Sequence, residues 1–344
     1  MRKLWMFMTI ILIVILLAAC GDSSQSSNSE DSTNDDSKVE SSSSNLTWAS
    51  GAQGGGWYTT AGGISSLILE ETGINISTIP GGSMQNMPFV ATNEAQLAWM
   101  QPPFIQAGLN GEEPFEEKFE NVSIIGNGFG TNHFHFVVDS KLDVETVDDL
   151  FAEPGNINIA LTPVNNSDEW VFRKIMEYYD TSYDEIKSAG GKISHGSYDE
   201  QSDALRNGNV TAIFSQLAIP AASITELSVN KDVKILPMSE DLISYLTQFG
   251  LEENTISAGT YSDITNSDED IPTASMGNVL TVNSELDEEI VYQITKTINE
   301  NIDQLPNIHE SLSYYSLENA TKNLMAPLHP GAEKYYKEVG ILTE

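Results

Sequence analysis

Residues 132–138 have the sequence NHFHFVV, and residues 276–283 have the sequence MGNVLTVN. Each segment is apolar at alternate positions, which is the period of a β-strand with one buried face. The two segments divide the folded chain into three parts, and we predict that both strands cross between two lobes. The first lobe then consists of residues 46–139 together with residues 277–344, and the second lobe consists of residues 140–276.

Short runs of the strand type recur between helical patterns along the rest of the chain. They are residues 46–49, 74–77, 96–100, 122–125, 157–161, 210–214 and 233–236. Capping boxes predict three helix starts, with the cap and its acidic partner at Thr146 with Asp149, Ser197 with Glu200, and Ser284 with Asp287. This alternation is typical of an α/β fold, in which ligands bind in a crevice at the carboxyl ends of the strands.

The N-terminal residues have the layout of a signal peptide. Arg2 and Lys3 precede an apolar run at residues 4–19, and Cys20 follows it. The run is shorter than the roughly 20 apolar residues that a spanning helix needs, and it ends in small residues before a cysteine, as a lipoprotein processing site does. We therefore predict that residues 1–19 are a signal peptide and that Cys20 carries lipid. An uncleaved N-terminal anchor is the alternative.

The segment after the predicted signal peptide cannot form a core. Residues 20–45 are mostly Ser, Asn and acidic residues, and Val39 is their only aliphatic side chain. This composition predicts a disordered tether with a typical reach of about 25–30 Å. Cys20 is the only cysteine in 344 residues, which excludes an intramolecular disulfide and a multi-cysteine zinc site.

The charge balance excludes several classes of partner. The chain has 50 acidic residues against 16 basic ones, a net charge of −34. Such a surface repels nucleic acid and anionic lipid headgroups, so we expect no nucleic-acid partner and membrane attachment only through the N-terminal lipid. The catalytic patterns Gly-x-Ser-x-Gly and His-Glu-x-x-His are absent from the sequence. We predict a binding protein without a cofactor, and a surface hydrolase with an unrecognised site is a distant alternative.

Six short sequence signatures occur along the chain. They are residues 54–58 (GGGWY), 80–86 (PGGSMQN), 95–101 (AQLAWMQ), 204–208 (ALRNG), 259–261 (GTY) followed by 271–273 (IPT), and 327–332 (PLHPGA). Together they resemble the TAXI family, the solute-binding receptors of TRAP (tripartite ATP-independent periplasmic) transporters. The resemblance implies a two-lobed type II periplasmic-binding-protein fold, or Venus flytrap, in which each lobe is a mixed sheet flanked by helices.

The resemblance also implies a function. A receptor of this family is held by lipid at the outer face of the cytoplasmic membrane, captures a small solute and delivers it to a polytopic TRAP permease. The habit of the family suggests an amino acid such as glutamate, or another small carboxylate. A ligand-binding sensor lipoprotein, or the receptor of an ABC-type importer, is the alternative. In either case a neutral or cationic solute remains open.

The first candidate binding segment is rich in glycine. Gly54, Gly55 and Gly56 precede a helical pattern that starts at Trp57. Glycines let backbone N–H groups approach a ligand, and a helix N-terminus offers free donors and a partial positive charge. A carboxylate could therefore be held without a basic side chain. A glycine-rich turn without ligand contact is the alternative.

Other candidate binding residues follow from the resemblance. In the first lobe they are Ser83, as a predicted helix cap, Asn86 and Gln101; in the second lobe they are Asn165, Asn166, Ser167, Ser215 and Gln216. Residues 162–167 lack the glycines that the family usually has there, so only side-chain contacts are expected from that turn. Gln101 could instead be a solvated strand end. Pro88 predicts that the helix at Ser83 starts late or is kinked.

Aromatic residues flank the same loops. Trp57, Tyr58, Trp170 and Tyr261 are candidates for a lining that would suit a neutral or cationic solute. Core packing is the commoner use of such residues.

Two further groups of polar residues receive structural interpretations. His133 and His135 alternate on a predicted strand, as metal ligands can, but without a third ligand we expect a structural role. The acidic loop at residues 263–270 misses the spacing of an EF-hand, so we expect it to be solvated rather than a calcium site. Arg173 and Arg206, the only arginines after the signal, lie on helical patterns away from the predicted strand ends.

Overall fold

The computed structural model describes residues 45–53, 55–164 and 166–343. The predicted signal peptide, Cys20 and the predicted tether up to residue 44 lie outside the described residues, as do Gly54 and Asn165. The described residues belong to one compact unit.

Strands and helices alternate along most of the chain. The strands are β1 (Asn45–Ala49), β2 (Asn75–Ile79), β3 (Leu97–Met100), β4 (Val122–Asp139), β5 (Asn158–Leu161), β6 (Lys192–His195), β7 (Ala212–Leu217), β8 (Val233–Leu236), β9 (Glu252–Ile256) and β10 (Ile271–Asn283). The helices are α1 (Gly56–Thr72), α2 (Ser83–Ala91), α3 (Pro102–Asn110), α4 (Val147–Ala152), α5 (Ser167–Tyr178), α6 (Tyr183–Ser188), α7 (Tyr198–Arg206), α8 (Ala222–Asn230), α9 (Glu240–Thr247), α10 (Glu288–Glu300), α11 (Leu305–Ile308) and α12 (Pro330–Glu338). The predicted α/β class is confirmed.

The strands form one mixed sheet in the order β2-β1-β3-β10-β4-β7-β5-β6, with β8 paired to β4 and β9 paired to β10. Strands β1, β2 and β3 are parallel to one another, and β5, β6 and β7 are also parallel. The long strands β4 and β10 are antiparallel to their neighbours. The sheet therefore contains two parallel groups joined by an antiparallel pair.

Strands β4 and β10 change neighbours along their length. Residues 122–133 of β4 pair with residues 275–283 of β10. Beyond that point, β4 pairs with β7 and β8, and the first residues of β10 pair with β9. We call the part of the sheet that contains β1 to β3 the first half, and the part that contains β5 to β9 the second half. Both long strands belong to both halves.

The two strands predicted at residues 122–125 and 132–138 are one strand, β4. Glycines separate the two predicted runs. Gly128 and Gly130 have φ of 84° and 88°, which other residues rarely adopt. A Cβ on Gly130 would lie 2.7 Å from the backbone oxygen of Ser311. The glycines therefore let β4 bend close to a neighbouring segment without ending.

Buried aromatic side chains fill the core on each half of the sheet. Trp48 of β1 and Trp99 of β3 have ring centroids 5.0 Å apart, and both are buried. In the second half, Phe136 of β4 and Phe214 of β7 lie 4.4 Å apart. Burial of one such side chain contributes about 1.5–3 kcal/mol. These contacts hold β1 and β7, whose carboxyl ends lie at the site described below, against their neighbouring strands.

Two of the three predicted helix starts are confirmed. Thr146 caps α4 by accepting the N–H of Asp149, and Ser197 caps α7 by accepting the N–H of Glu200. In both capping boxes the acidic side chain in turn accepts the N–H of the cap residue. These reciprocal hydrogen bonds satisfy N–H groups at each helix start, which is what the capping-box pattern predicts.

The predicted start at Ser284 is wrong. Helix α10 begins at Glu288, and Asp287 is its N-cap, with a carboxylate that accepts the N–H groups of Glu289 and Ile290. The hydroxyl of Ser284 lies instead 2.7 Å from the hydroxyl of Ser123. An aspartate can itself act as the cap, and that alternative fits the same sequence.

Helix α2 also differs from the expectation. Its N-cap is Gly82 rather than Ser83, because the hydroxyl of Ser83 is used in a hydrogen bond to Gln101. The helix starts at Ser83 without delay and contains Pro88 in its interior. Strands β6 and β9 were not predicted, since β6 is largely exposed and β9 has the polar sequence EENTI.

Candidate functional site

A cavity of about 50 Å³ lies at the carboxyl ends of strands from both halves of the sheet. The loops after β1 and β2 line one side, and the loops after β5 and β7 line the other. The lining residues are Gly51, Ala52, Gly55, Gly56, Trp57, Gly81, Gly82, Asn132, Asn166, Ser167, Asp168, Tyr198, Gln216, Leu217 and Ala218. Ligands of open α/β sheets commonly bind at this edge.

Asn86 fixes the strand ends of the first half. Its side chain is fully buried. Its Nδ2 donates to the backbone oxygens of Ala49 at 3.2 Å, Ser50 at 2.8 Å and Trp99 at 2.7 Å. Its Oδ1 accepts the N–H of Gly82 at 3.1 Å. One amide therefore joins the carboxyl ends of β1 and β3 to the loops after β1 and β2.

Three helices begin at the cavity. The N-caps of α1, α2 and α5 are Gly55, Gly82 and Asn166, and all three residues line the cavity. None of the three uses its side chain to accept a hydrogen bond from the first turn of its helix. The first turns of α1 and α2 also contain no acidic residue. Free N–H donors and the positive ends of the helix dipoles therefore meet at one place, which favours an anionic group.

Hydrogen bonds fix the side chains on the second half. The hydroxyl of Ser167 donates to Oε1 of Gln216 at 2.8 Å, and the hydroxyl of Tyr198 donates to the backbone oxygen of Gln216 at 3.0 Å. Nε2 of Gln216 is buried and has no partner among the described residues. The ring of Tyr198 reaches the first half, where a Cβ on Gly55 would lie 3.6 Å from it. Gln216 thus offers a fixed donor beside the cavity.

Asp168 is the one acidic side chain among the lining residues that the structure describes. It is 1% exposed. The hydroxyl of Thr162 and the N–H of Glu169 donate to its Oδ1, whereas its Oδ2 has no partner among the described residues. Burial raises the pKa of Asp168 from 3.8 to about 6, against the opposing effect of the Thr162 hydrogen bond. The carboxyl is therefore mostly ionised at neutral pH.

No Lys, Arg or His occurs among the described lining residues. Arg173 forms an ion pair with Glu169 at 3.3 Å on its own helix, and Arg206 pairs with Asp203. Glu169 also accepts the hydroxyl of Tyr183 at 2.7 Å. The arginines are thus engaged with acids on the second half, and the charge of Asp168 is not balanced by a cationic side chain at the cavity wall.

The structure brings six of the predicted binding residues to the cavity. They are Gly55, Gly56, Trp57, Asn166, Ser167 and Gln216. Seven others lie outside its lining, namely Tyr58, Ser83, Asn86, Gln101, Trp170, Ser215 and Tyr261. Gly54 and Asn165 are outside the described residues. The ligand contacts of all these residues remain predictions.

Several of the seven residues have partners in the interior. Trp170 is buried, with its ring centroid 5.2 Å from that of Phe104. The hydroxyl of Ser215 donates to Oε1 of Gln201 at 3.0 Å, and the hydroxyl of Ser83 donates to Oε1 of Gln101 at 3.2 Å. Nε2 of Gln101 is buried without a partner among the described residues. Gln101 is therefore not a solvated strand end.

Tyr261 belongs to a buried network behind the second half. Its hydroxyl accepts the N–H of Ala221 at 3.0 Å and lies 2.9 Å from Nε2 of His135. Nδ1 of His135 lies 2.9 Å from the backbone oxygen of His133, which requires a proton on Nδ1. Burial lowers the pKa of His135 to about 3 and also lowers that of His133. His135 therefore stays neutral and joins β4 to the loop before α8.

The acidic loop at residues 263–270 is held by backbone contacts. Asn266 donates to the backbone oxygen of Ile235 at 2.9 Å and accepts its N–H at 3.2 Å. Oδ1 of Asp270 accepts the N–H of Ala258 at 2.9 Å. Across residues 45–53, 55–164 and 166–343, no cluster of three or more His, Cys, Asp or Glu side chains could hold a metal ion.

Sequence reasoning missed several lining residues. Among them are Gly81, Gly82, Asn132, Asp168 and Tyr198. The sequence carried a signal for Asp168, which follows Asn166 and Ser167 at a helix start, but acids are common in the first turn of any helix. Its place in the cavity lining distinguishes Asp168 from the others, including the equally buried Glu169, and that place depends on the tertiary structure.

The comparisons with known proteins agree with this architecture. The NMT1-like family matches residues 48–340, and the chain belongs to this family. MatC from Rhodopseudomonas palustris, solved with bound malate, superposes with a TM-score of 0.53 at 12% identity over 86% of this chain and 96% of that chain. PhnD1 from Prochlorococcus marinus, solved with methylphosphonate, gives 0.52 at 12% identity over 87% of this chain and 99% of that chain.

A third similar structure is the periplasmic binding protein BugD, with a TM-score of 0.51 at 12% identity over 87% of this chain and 99% of that chain. At this level of identity the likeness shows a shared fold. The predicted two-lobed periplasmic-binding-protein fold is thereby confirmed. Across the part of the chain that the structure describes, no helix is long and apolar enough to cross a bilayer.

Proposed function

We propose that this protein is an extracytoplasmic, lipid-anchored solute-binding receptor that captures a small solute in the cavity and delivers it to a membrane transporter. The observation that carries the proposal is that three helix N-termini whose N-cap residues make no side-chain cap hydrogen bond meet at one cavity between two halves of a sheet. MatC and PhnD1, which share the fold, were solved with malate and methylphosphonate, both small anions. Helix N-termini can hold such an anion here without any basic side chain among the described lining residues.

The size of the cavity supports a small solute. The cavity volume is about 50 Å³. Measured in the same way, a cavity needs on the order of 10–15 Å³ to hold one water. In this conformation the site has room for a few waters or a compact solute, and an oligosaccharide or a peptide would not fit. An amino acid or a small carboxylate is within the range.

The binding mechanism that we propose is closure of two lobes. We take the first lobe as residues 46–139 with 277–344 and the second as residues 140–276. The exchange of strand partners along β4 and β10 supports this division. A solute that contacts both halves shifts an equilibrium between open and closed forms, because only the closed form satisfies both sets of contacts.

The transporter that we propose is a TRAP-type secondary transporter with a polytopic permease. The resemblance to the TAXI family supports this choice, and membership of the NMT1-like family is consistent with it. Lipid on Cys20 would hold the receptor at the outer face of the cytoplasmic membrane, and residues 20–45 would let it reorient over the permease.

Binding is tested by thermal unfolding of the purified full-length protein in detergent, with amino acids, organic acids, phosphonates, sugars and quaternary ammonium compounds. A ligand at 100 times its Kd adds about 2.7 kcal/mol of stability and raises the Tm by several degrees. Saturable shifts with one class of small solute support a solute-binding receptor. A panel without any shift contradicts the proposal.

The transporter class is tested by uptake of the identified solute into vesicles that contain the permease and the receptor. Uptake that needs an ion gradient and continues without ATP supports a TRAP transporter. Uptake that needs ATP would assign the receptor to an ABC-type importer instead.

A further inference from the structure

A second, larger cavity, of about 690 Å³, lies at the outer edge of the second half of the sheet. Strand β6 is the last strand there, and its only partner in the described sheet is β5. The cavity has β6 on one side and α7 on the other, and it shares no lining residue with the cavity at the strand ends. We call it the edge groove. Its lining includes Lys187, Lys192, Ser194, His195, Glu200 and Ala204.

The edge groove presents free cations on a strongly acidic protein. Lys187 and Lys192 line it and are exposed. Neither ammonium group has an ion-pair or hydrogen-bond partner among the described residues. Glu200 is the one acid in the described lining, and its Oε2 accepts the N–H of Ser197 at 2.8 Å. The groove therefore attracts negative charge, although the whole chain has a net charge of −34.

The outer side of β6 also presents unpaired backbone groups. On the side of β5, the N–H groups of Lys192 and Gly196 donate to backbone oxygens at 2.8 and 2.9 Å. Alternate residues of a strand direct their N–H and C=O groups to opposite sides, so those of Ile193 and His195 point away from β5. No other strand of the described sheet lies beyond β6. Donors and acceptors therefore alternate along the open edge.

An extended peptide matches this edge better than a small anion does. A phosphate or a carboxylate accepts hydrogen bonds, so it would leave the C=O groups of Ile193 and His195 without donors. An added strand supplies donors and acceptors in the same alternation, and this is how peptides are recognised by strand addition. The two free lysines beside the edge favour acidic side chains on that strand.

Protection of the edge does not by itself explain the lysines. Lysine on an edge strand commonly prevents the edges of two copies from pairing. In this chain the net charge of −34 already opposes association between copies. An acidic partner, by contrast, would be repelled by most of the surface and attracted at the edge groove.

We propose that the edge groove is a docking surface for an acidic, extended segment of a partner protein. The segment adds to the sheet as a strand beside β6, with its carboxylates near Lys187 and Lys192. This inference goes beyond solute binding and does not depend on what the cavity at the strand ends holds.

A panel of synthetic peptides tests the docking surface on the purified full-length protein in detergent. The peptides are end-blocked, about eight residues long, and alternate Glu with Thr, Val or Tyr. Fluorescence titration at low ionic strength should show a Kd below about 1 mM for at least one of them and weaker binding when Gln replaces Glu. A peptide that is N-methylated at alternate residues, on the side that pairs with β6, should bind more weakly because it lacks the donors of a strand.

Hydrogen exchange reports the position of the peptide. With the peptide at about ten times its Kd, exchange of the Ile193 and His195 amides should slow by about tenfold, because both N–H groups become part of a ladder. Inorganic tripolyphosphate is the probe for a site that binds any small polyanion.

Two double variants locate the charge contacts. Lys187→Gln with Lys192→Gln should weaken binding of the acidic peptide by about threefold to tenfold, as expected for two exposed charge pairs. Lys118→Gln with Lys141→Gln removes the same charge from exposed lysines outside the groove and should leave the affinity within about twofold.

The outcomes are distinct. If no acidic peptide in the panel binds with a Kd below about 1 mM, or if the groove variant binds as tightly as the wild type, the edge groove is not an acidic docking surface. If the N-methylated peptide binds equally well, or if exchange at Ile193 and His195 is unchanged while tripolyphosphate competes, the groove takes small polyanions and the strand proposal is wrong. Each of these results leaves the proposed solute-binding function as it stands.

Discussion

Gly82 and Asn166 meet across the cavity, and a Cβ placed on Gly82 would lie 2.8 Å from Oδ1 of Asn166. Gly82 caps α2 in the first half of the sheet, and Asn166 caps α5 in the second half. The two halves therefore approach closely at Gly82, where a side chain would not fit. The φ of Gly82 is 171°, which any residue can adopt, so the glycine is required only for the close approach.

We predict that Gly82→Val weakens solute binding by about tenfold or more, because overpacking at the contact opposes closure by about 1–3 kcal/mol. Titration calorimetry measures the change. Gly62→Ala is the matched control, since a Cβ on Gly62 meets nothing within 4 Å. Shortening the partner in the double variant Gly82→Val with Asn166→Gly should recover part of the affinity. Unchanged binding by Gly82→Val would show that the halves need not approach this closely.

Asp168 should make the stability of the free protein depend on pH. Burial raises its pKa from 3.8 to about 6, so the folded state favours the protonated carboxyl. The stabilising contribution is complete below about pH 3.8 and is lost as the pH rises through 6. Ionisation of Asp168 thus lowers the free energy of unfolding by about 3 kcal/mol at most at pH 8.

Asp168→Asn removes this ionisation. We expect the variant to be more stable than the wild type at pH 8 by up to about 3 kcal/mol, and the difference to shrink towards pH 4. Denaturant unfolding across this range measures it. Glu169, Tyr183 and Tyr198 face the same region and are unchanged in both proteins. A difference that does not vary with pH would contradict the raised pKa of Asp168.

Asn86 should be important for stability as well as for the shape of the site. Asn86→Ala leaves three buried carbonyl groups without their shared donor, and we expect a loss of about 3 kcal/mol in the free energy of unfolding. Asn75→Ala removes an exposed amide that is hydrogen-bonded to Asn45, and it should lower the free energy of unfolding by only about 0.5 kcal/mol or less. Urea unfolding compares the two variants. Equal losses would mean that Asn86 does not hold the strand ends.

Two tryptophans that looked equivalent in the sequence should behave differently. Trp57 lines the cavity, whereas Trp170 is buried against Phe104 and Phe249 away from it. Trp170→Leu should lower stability by about 3 kcal/mol and change the affinity of the folded protein less than threefold. Trp57→Leu should mainly weaken binding. Combined unfolding and titration measurements separate the effects, and a reversed pattern would place Trp170 at the ligand.

The alternating segments at residues 132–138 and 276–283 were sufficient to predict strands that belong to two halves of a sheet. Their period is local, and β-branched and aromatic residues at alternate positions leave few other structures. The continuity of β4 could not be predicted in the same way. Two separate runs were predicted there, and only the packing of Ser311 against Gly130 shows why a glycine is needed inside one continuous strand.

The part of the candidate site that consists of backbone N–H groups could be predicted from the sequence. Gly55 and Gly56 follow a strand and open a helix, and this local pattern places N–H donors at a strand end. Side-chain roles were harder, since Asn86 and Gln101 have the right sequence positions but point to interior partners. Asp168 could not be singled out, because its burial and its place in the cavity lining depend on the tertiary structure.

In the closure that we propose, the long strands β4 and β10 would determine how the two halves move. Both strands continue from one half into the other while paired to each other, and their register is irregular beside Gly277. A hinge made of two hydrogen-bonded strands resists bending and twisting, whereas an unpaired loop would offer little resistance. Substitutions near Gly277, outside the cavity lining, should therefore change the stiffness of the paired strands β4 and β10. Solute affinity can then be tuned at a distance, with every contact to the solute unchanged.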